Sequence, residues 1–262
     1  MSDDEGGGSL YVLTAVLLTP AQFPSILGDD FPEACSLLGV APNGEGYGLV
    51  LGQDEEGARW TVVVDDVSLV ATAIASWDCG MEYDLSPDER TIVVSLAGWP
   101  LELSVAASGI PEPHDPEQGA DGTGRVPLAP PSADAWGPVQ RRMGADQIAR
   151  EWTDWRERVA TDGGAAAAAH PGLARALEEA VAYTKTPPPP GRVRSSFAGE
   201  GARTLRVDGP GWSLVARTGG AAFVLLDEEP SEVLTVPHEG DANQLDLPDL
   251  LTALDRIAVR PS

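Results

Sequence analysis

The sequence predicts an α+β fold with two β-rich parts, built of short hairpins and helices and joined by a central two-helix segment between proline-rich linkers. Three observations predict it. Apolar residues recur at helical spacing over two long runs in the centre of the chain, short Leu- and Val-rich runs separated by turn sequences lie on either side, and prolines bracket the centre. The predicted segments are an acidic α+β domain at 1–109, a Pro/Gly-rich linker at 110–137, a helical segment at 138–186, a Pro-rich linker at 187–200, and β-hairpins with a C-terminal helix at 201–262.

The first segment begins with LYVLTAVLLT, whose continuous apolar character is typical of a buried strand. Thr19-Pro20 then suits a helix start, because threonine caps a helix and proline fits its first turn. The helix is expected to reach Leu38 but to be broken, since Pro24 and Pro32 interrupt it.

A hairpin is predicted next, turning in DEEG, with strands near residues 47–52 and 59–65. The valines of TVVVDDV do not alternate with polar residues, which indicates a central strand buried on both faces. A short helix is predicted at 67–77. A second hairpin is predicted in RTIVVSLAGWPLELSVA, turning at Ala97-Gly98.

Residues 110–138 contain seven prolines and almost no large apolar side chain, which predicts an extended or disordered linker with a solvated His114. The first central helix follows in PVQRRMGADQIAREWTDWRERVA, with one apolar face formed by Ile148, Trp152, Trp155 and Val159. The two tryptophans could form a docking surface with the arginines. Their spacing is also that of a helix face packed on a sheet, and we therefore expect both tryptophan rings to be buried.

The second central helix is predicted in PGLARALEEAVAYT and ends at the four prolines 187–190. Beyond it the pattern is β again, with a Thr218-Gly219-Gly220 hairpin turn and a closing amphipathic helix. So short a C-terminal part is marginal alone. We therefore expect it to pack on the helices or on the first domain. Its predicted strands are 203–207, 212–217, 221–226 and 232–236, and its helix is 247–257.

Charge is distributed unevenly along the chain, whose formal net charge is −24. Residues 1–120 contain 21 acidic and two basic residues, whereas the remaining 142 contain 20 acidic and 15 basic ones. Such a first half repels nucleic acid and anionic membranes and attracts basic partners. An alternative remains open: all basic residues except Lys185 are arginine, which suggests GC-rich codon usage, and the acidity is then a solubility trait.

The sequence contains no pattern that predicts catalysis, a cofactor or a metal site. It has two cysteines and three histidines, none at metal-ligand spacing, and no G-x-S-x-G motif. The glycine cluster GEGYGLVLG neither precedes a predicted helix nor carries a lysine, so it does not indicate a nucleotide site. The acidic N-terminus and the lack of an apolar run near twenty residues favour a cytoplasmic protein without a membrane span.

These observations favour a non-catalytic intracellular protein-binding protein, of the immunity or chaperone type, that engages a basic protein partner through its acidic first half. Two alternatives remain: an enzyme or small-ligand protein with a site between the β-rich parts, formed by Asp65, Asp66 and His238, or a structural subunit of a larger assembly. The predicted partner-binding residues are Asp54, Glu55, Glu56, Asp65, Asp66, Glu82, Asp84, Asp88 and Glu89, with Trp77 or Trp99 as anchors.

Overall fold

The computed structural model describes residues 10–21, 27–28, 30–67, 88–100, 114–120, 122, 126–130, 132, 134–162, 170–199, 201–230, 232–238 and 246–260. Within them the chain forms two antiparallel sheets, of four and five strands, and five helices, which confirms the α+β prediction. Two compact units divide the chain. The first comprises Met1–Leu27 and Ala34–Pro131, and the second comprises Gly28–Glu33 and Ser132–Ser262.

The first unit contains a four-stranded antiparallel sheet in sequence order, β1-β2-β3-β4. The predicted hairpin around DEEG is present and joins β2 to β3. The predicted helix at 67–77, apart from Val67, and the returning half of the second hairpin lie outside the described residues. The strands are β1 (Tyr11–Leu18), β2 (Tyr47–Gln53), β3 (Arg59–Val64) and β4 (Ile92–Ala97).

Both faces of this sheet are apolar, as the uninterrupted valines predict. Successive side chains of a strand point to opposite faces. Val62 and Val64 accordingly join one buried cluster with Ala15 and Val50, while Val63, between them, is fully buried on the opposite face. The third strand is therefore central, with β2 on one side and β4 on the other.

The described part of the segment predicted as a linker forms no helix or named strand, and it is attached to the first sheet at two points. His114 donates its backbone N–H to the carbonyl of Gly57 and accepts from the N–H of Arg59. Farther along, Leu128 is buried and pairs with Gly98. Gly98 has a φ of 99°, and a Cβ there would lie 2.4 Å from the nitrogen of Leu128, so only glycine permits this approach.

The second unit contains a five-stranded antiparallel sheet, again in sequence order, β5-β6-β7-β8-β9. Helix α1 (Phe31–Leu38) begins in this unit, and its later residues belong to the first. The remaining elements are α2 (Pro138–Arg150), α3 (Trp152–Asp162), α4 (Pro171–Lys185), β5 (Val193–Phe197), β6 (Arg203–Gly209), β7 (Trp212–Arg217), β8 (Ala222–Leu226), β9 (Leu234–Val236) and α5 (Leu247–Ile257).

Helices cover both faces of the second sheet. On one face α2 and α3 pack against β7 and β8, and Trp152 meets Phe223 edge to face with ring centroids 5.1 Å apart. Trp152 is buried and Trp155 half-buried, so the expected burial of the pair holds most fully for Trp152. The side chain of Val159 lies outside the described part. On the other face α4 and α5 pack against Leu214 and Val224.

The C-terminal β-part is thus packed on the central helices, and its core includes side chains from both. None of the helices in the described residues is long and apolar enough to span a membrane.

Candidate functional site

The predicted partner-binding acidic residues that the structure describes lie at two opposite ends of the first sheet. Gln53 pairs with Arg59 at one end, which places the turn 54–58 there. Val64 pairs with Ile92 at the other end, and the next residue, Asp65, donates its N–H to the carbonyl of Thr91 at 2.9 Å. Strands of six or seven residues separate the two ends by roughly 20 Å.

We call the second of these ends the acidic sheet end and define it by five exposed carboxylates. Four of them belong to the predicted set. The fifth, Glu45, was not predicted and lies in the turn before β2. Leu18 of β1 pairs with Tyr47, so the strand register brings this turn to the same edge of the sheet. The five residues are Glu45, Asp65, Asp66, Asp88 and Glu89.

Two local interactions organise the acidic sheet end. Asp88 accepts hydrogen bonds from the backbone and side chain of Arg90, with Nη2 at 2.7 Å from Oδ2. The side-chain hydrogen bond from Arg90, followed by the backbone one, holds the pKa of Asp88 below its ordinary value. Tyr47 lies beneath this edge, and burial raises the pKa of its phenol, with smaller contributions from Cys35 and the charge of Asp65.

Asp54, at the opposite sheet end, is turned inward and holds the hairpin together. Its Oδ1 accepts from the N–H groups of Glu56 and Ala58, at 3.0 and 2.9 Å, and its Oδ2 accepts from Trp60 Nε1 at 3.0 Å. An aspartate that bonds its own backbone two residues on is a turn-forming device. Only Glu55 and Glu56 are therefore exposed acids of this turn.

The predicted aromatic anchors are not part of a described surface. Trp99 is only 2% exposed, so its ring packs in the interior and presents no area to a partner. The structure thus corrects its assignment as an anchor. Trp77, Glu82 and Asp84 lie outside the described residues.

The basic residues of the first unit are few, and the two that the structure describes are already engaged. The unit contains 19 acidic and three basic residues, for a net charge of −16. Arg59 forms an ion pair with Asp115, and Arg90 forms one with Asp88. The third, Arg125, lies outside the described residues. Both arginines in the described part of this unit are therefore neutralised locally.

A second charged group, in the second unit, was not predicted from the sequence. We call it the buried ionic cluster; it lies between β5 and β6, helix α2 and the segment Gly28–Glu33. In RTLRVDG the charged residues alternate with apolar ones, a pattern that indicates a solvated face. Helix α2 covers that face instead. The cluster comprises Asp30, Arg142, Arg192, Arg194, Arg206 and Asp208.

Asp208 is fully buried and accepts three hydrogen bonds through its side chain. Ser213 donates to Oδ1 at 2.6 Å and Arg206 at 3.4 Å, while Arg194 donates to Oδ2 at 3.3 Å. Burial alone would raise the pKa of Asp208. The charges of Arg206 and Arg194, the bond from Ser213 and the charge of Arg142 outweigh burial and lower it.

Asp30 is 2% exposed. Burial and nearby arginines act on its pKa as they do on that of Asp208, but the net shift has the opposite direction. Asp30 Oδ2 lies 3.2 Å from Arg192 Nε and 3.9 Å from Arg142 Nη1, and its Oδ1 accepts from the N–H of Glu33 at 2.9 Å. Burial is the largest influence and raises the pKa of Asp30 despite these partners. The ion pairs of the cluster join the segment Gly28–Glu33 to α2 and to Arg192, just before β5, so the cluster stabilises the second unit.

The alternative site formed by Asp65, Asp66 and His238 stays a prediction, because the two aspartates belong to the first unit and the histidine to the second. Within the described ranges, no group of three His, Cys, Asp or Glu side chains is arranged to hold a metal ion. Cys35 is fully buried, and Cys79 lies outside those ranges.

Comparison with known proteins adds no assignment, since no family model, curated protein or solved structure matches the chain.

Proposed function

We propose that this chain is a non-catalytic protein-binding protein of the immunity or chaperone type, whose acidic first unit engages a basic protein partner in the cytoplasm. The observation that carries the proposal is the pairing of Arg59 and Arg90 with neighbouring aspartates in a unit of net charge −16. A basic partner that approaches this unit meets exposed carboxylates, while the cations in its described part are already neutralised. Complementary charge of this kind speeds encounter and selects partners.

The acidic sheet end is the better of the two ends for this role. Of its five exposed carboxylates, Asp88 is already paired with Arg90 and four others remain, whereas the turn between β2 and β3 offers only Glu55 and Glu56 because Asp54 is used internally. A standard interface covers about 800 Å² on each partner. One interface of this size fits one end of the sheet, and we assign the partner to the acidic sheet end.

The chain contains only two cysteines in 262 residues. Disulfide-rich chains are typical of oxidising compartments, so a cysteine content this low is compatible with the cytoplasm. Electrostatics does not distinguish a protein that neutralises a basic toxin from one that escorts a basic cargo, and the identity of the captured partner separates these two roles.

The test compares two double variants that change the net charge equally. Asp65→Asn with Glu89→Gln neutralises two carboxylates of the acidic sheet end, and Glu55→Gln with Glu56→Gln neutralises two at the opposite end. Each variant and the parent protein would capture partners from the native lysate at low and moderate salt, and binding of the captured partner would then be measured. We expect a basic partner that is lost at moderate salt, since exposed charges are screened.

The first double variant should weaken binding about tenfold, a change of roughly 1.4 kcal/mol, and the second should change it much less. Equal weakening by both variants would show that net charge matters and that the location does not. Binding that is insensitive to salt and to both variants would contradict the proposal.

A further inference from the structure

Strand β1 is a terminal strand of the first sheet in the described part of the chain, and it lacks two of the usual protections of a sheet edge. Its eight residues, YVLTAVLL, contain no charged residue and no proline. Among the described residues, β1 pairs only with β2. One irregularity interrupts the ladder between Val12 and Thr14, and from Thr14 to Leu18 the pairing is continuous. Natural edge strands usually carry charges, prolines or bulges because open backbone groups can pair with another chain.

The opposite terminal strand, β4, is partly covered by the chain itself. Leu128 donates its N–H to the carbonyl of Ala97 at 2.7 Å, and Gly98 pairs with Leu128. No such contact is present along Tyr11–Leu18 in the described part of the chain. Of the two outer strands, β1 therefore has the less covered backbone edge in the described part of the chain.

Charge decides what can occupy this edge. A second copy of the chain would bring two units of net charge −16 together along their edges, which is electrostatically unfavourable. A basic strand would instead be attracted. At its Leu18 end, β1 adjoins the acidic sheet end, because Leu18 pairs with Tyr47 and a Cβ on Gly46 would lie 2.5 Å from the Leu18 carbonyl oxygen.

An added strand would lie about 4.8 Å from β1. Its side chains at the Leu18 end would then come within reach of Glu45, the exposed residue before Gly46. Strand addition supplies affinity through main-chain hydrogen bonds, and neighbouring side chains supply selectivity. Here the selectivity is for basic residues.

We propose that the partner binds through a basic extended segment that adds as a fifth strand along Tyr11–Leu18 of the first sheet. This inference rests on the proposed function, since it takes from it the basic character of the partner. Main-chain hydrogen bonds provide the affinity, and the acidic sheet end recognises lysine or arginine side chains of the segment.

The test uses the full-length protein and three synthetic eight-residue peptides. The first alternates lysine and threonine. The second has the same side chains with all backbone amides methylated, which keeps the charge and removes the hydrogen-bond donors. The third replaces each lysine by glutamate. We expect the first peptide to bind in low salt, the methylated peptide to bind at least about tenfold more weakly, and the glutamate peptide not to bind.

Hydrogen exchange locates the contact. In the free protein, the β1 amides that face away from β2 should exchange rapidly, and the first peptide should protect them. If the methylated peptide binds as well as the first, or β1 gains no protection, strand addition is wrong while the proposed electrostatic function stands. If neither cationic peptide binds in low salt, the proposed function itself loses its support. Protection of every β1 amide in the free protein would show an edge already occupied and would overturn the inference.

Discussion

Arg142 donates a hydrogen bond from Nε to the backbone carbonyl of Gly28, which lies 114 residues earlier in the chain. The same guanidinium group meets Glu33, with Nη2 and Oε2 2.8 Å apart, and Asp30. The second unit is therefore discontinuous in sequence. Its early segment is held by buried charges on α2, which is itself part of the packed layer over the sheet.

Replacement of Arg142 by methionine should strongly destabilise the protein. Methionine preserves much of the volume, but it leaves the Gly28 carbonyl without its donor and Asp30 with Arg192 as its remaining close cation. Removing one partner from a buried ion pair costs about 3–5 kcal/mol. Urea unfolding measures the loss. The control is Arg150→Met, the same change at an exposed position of the same helix, which should leave the midpoint nearly unchanged. Similar urea midpoints for the two variants would contradict the stabilising role of Arg142.

Asp208 should make the protein more stable as the pH rises through the acid range. Its pKa in the folded state is below the ordinary aspartate value of about 3.9, so the unfolded chain binds protons more readily. The stabilisation is present above about pH 4 and is lost as the pH falls through the lowered pKa. The difference in unfolding free energy between the parent and Asp208→Asn should therefore shrink from about pH 5 towards pH 2. A constant difference would refute the assignment.

The contribution of Asp30 to the pH dependence of the unfolding free energy should have the opposite sign. Its folded-state pKa is raised, so the folded protein holds the proton more tightly than the unfolded chain does. Below about pH 4 the carboxyl is protonated in both states and carries no penalty. As the pH rises through the raised pKa, ionisation in a buried position costs stability. Relative to Asp30→Asn, the parent should lose unfolding free energy over this range and then level off. If the unfolding free energies of the two proteins changed in parallel with pH, Asp30 would not titrate in this way.

Local patterns predicted the elements because local physics determines them. The unbroken valines of Val62–Val64 indicate burial on both faces, and this strand is central in the sheet. Likewise, Trp152 follows Ile148 at one helical turn, and both join the cluster with Phe223. In each case the spacing of apolar residues over a few positions predicts which side chains are buried, although their packing partners lie elsewhere in the chain.

Register and long-range pairing could not be predicted in the same way. The separation of Asp54–Glu56 from Asp65 depends on which end of each strand they occupy, and that follows from pairing across the sheet. The contact between Asp30 and Arg192 joins distant parts of the chain, and no periodicity records it. Arg206 and Asp208 alternate as if solvated, because the pattern of a strand does not show that a charged helix will cover it.

His170 should stabilise the start of α4 through one ring nitrogen and the turn after β8 through the other. Its Nδ1 accepts from the N–H of Leu173 at 3.3 Å, so Nε2 carries the proton and donates to Glu229 Oε1 at 2.7 Å. His170→Ala removes both bonds and should cost about 0.5–2 kcal/mol, the usual range for a lost N-cap. His170→Asn restores an oxygen acceptor for the N–H of Leu173 but does not reach Glu229. Urea unfolding should therefore rank the parent first, asparagine second and alanine last. If asparagine is no more stable than alanine, the cap makes no contribution and the pair with Glu229 accounts for the whole effect.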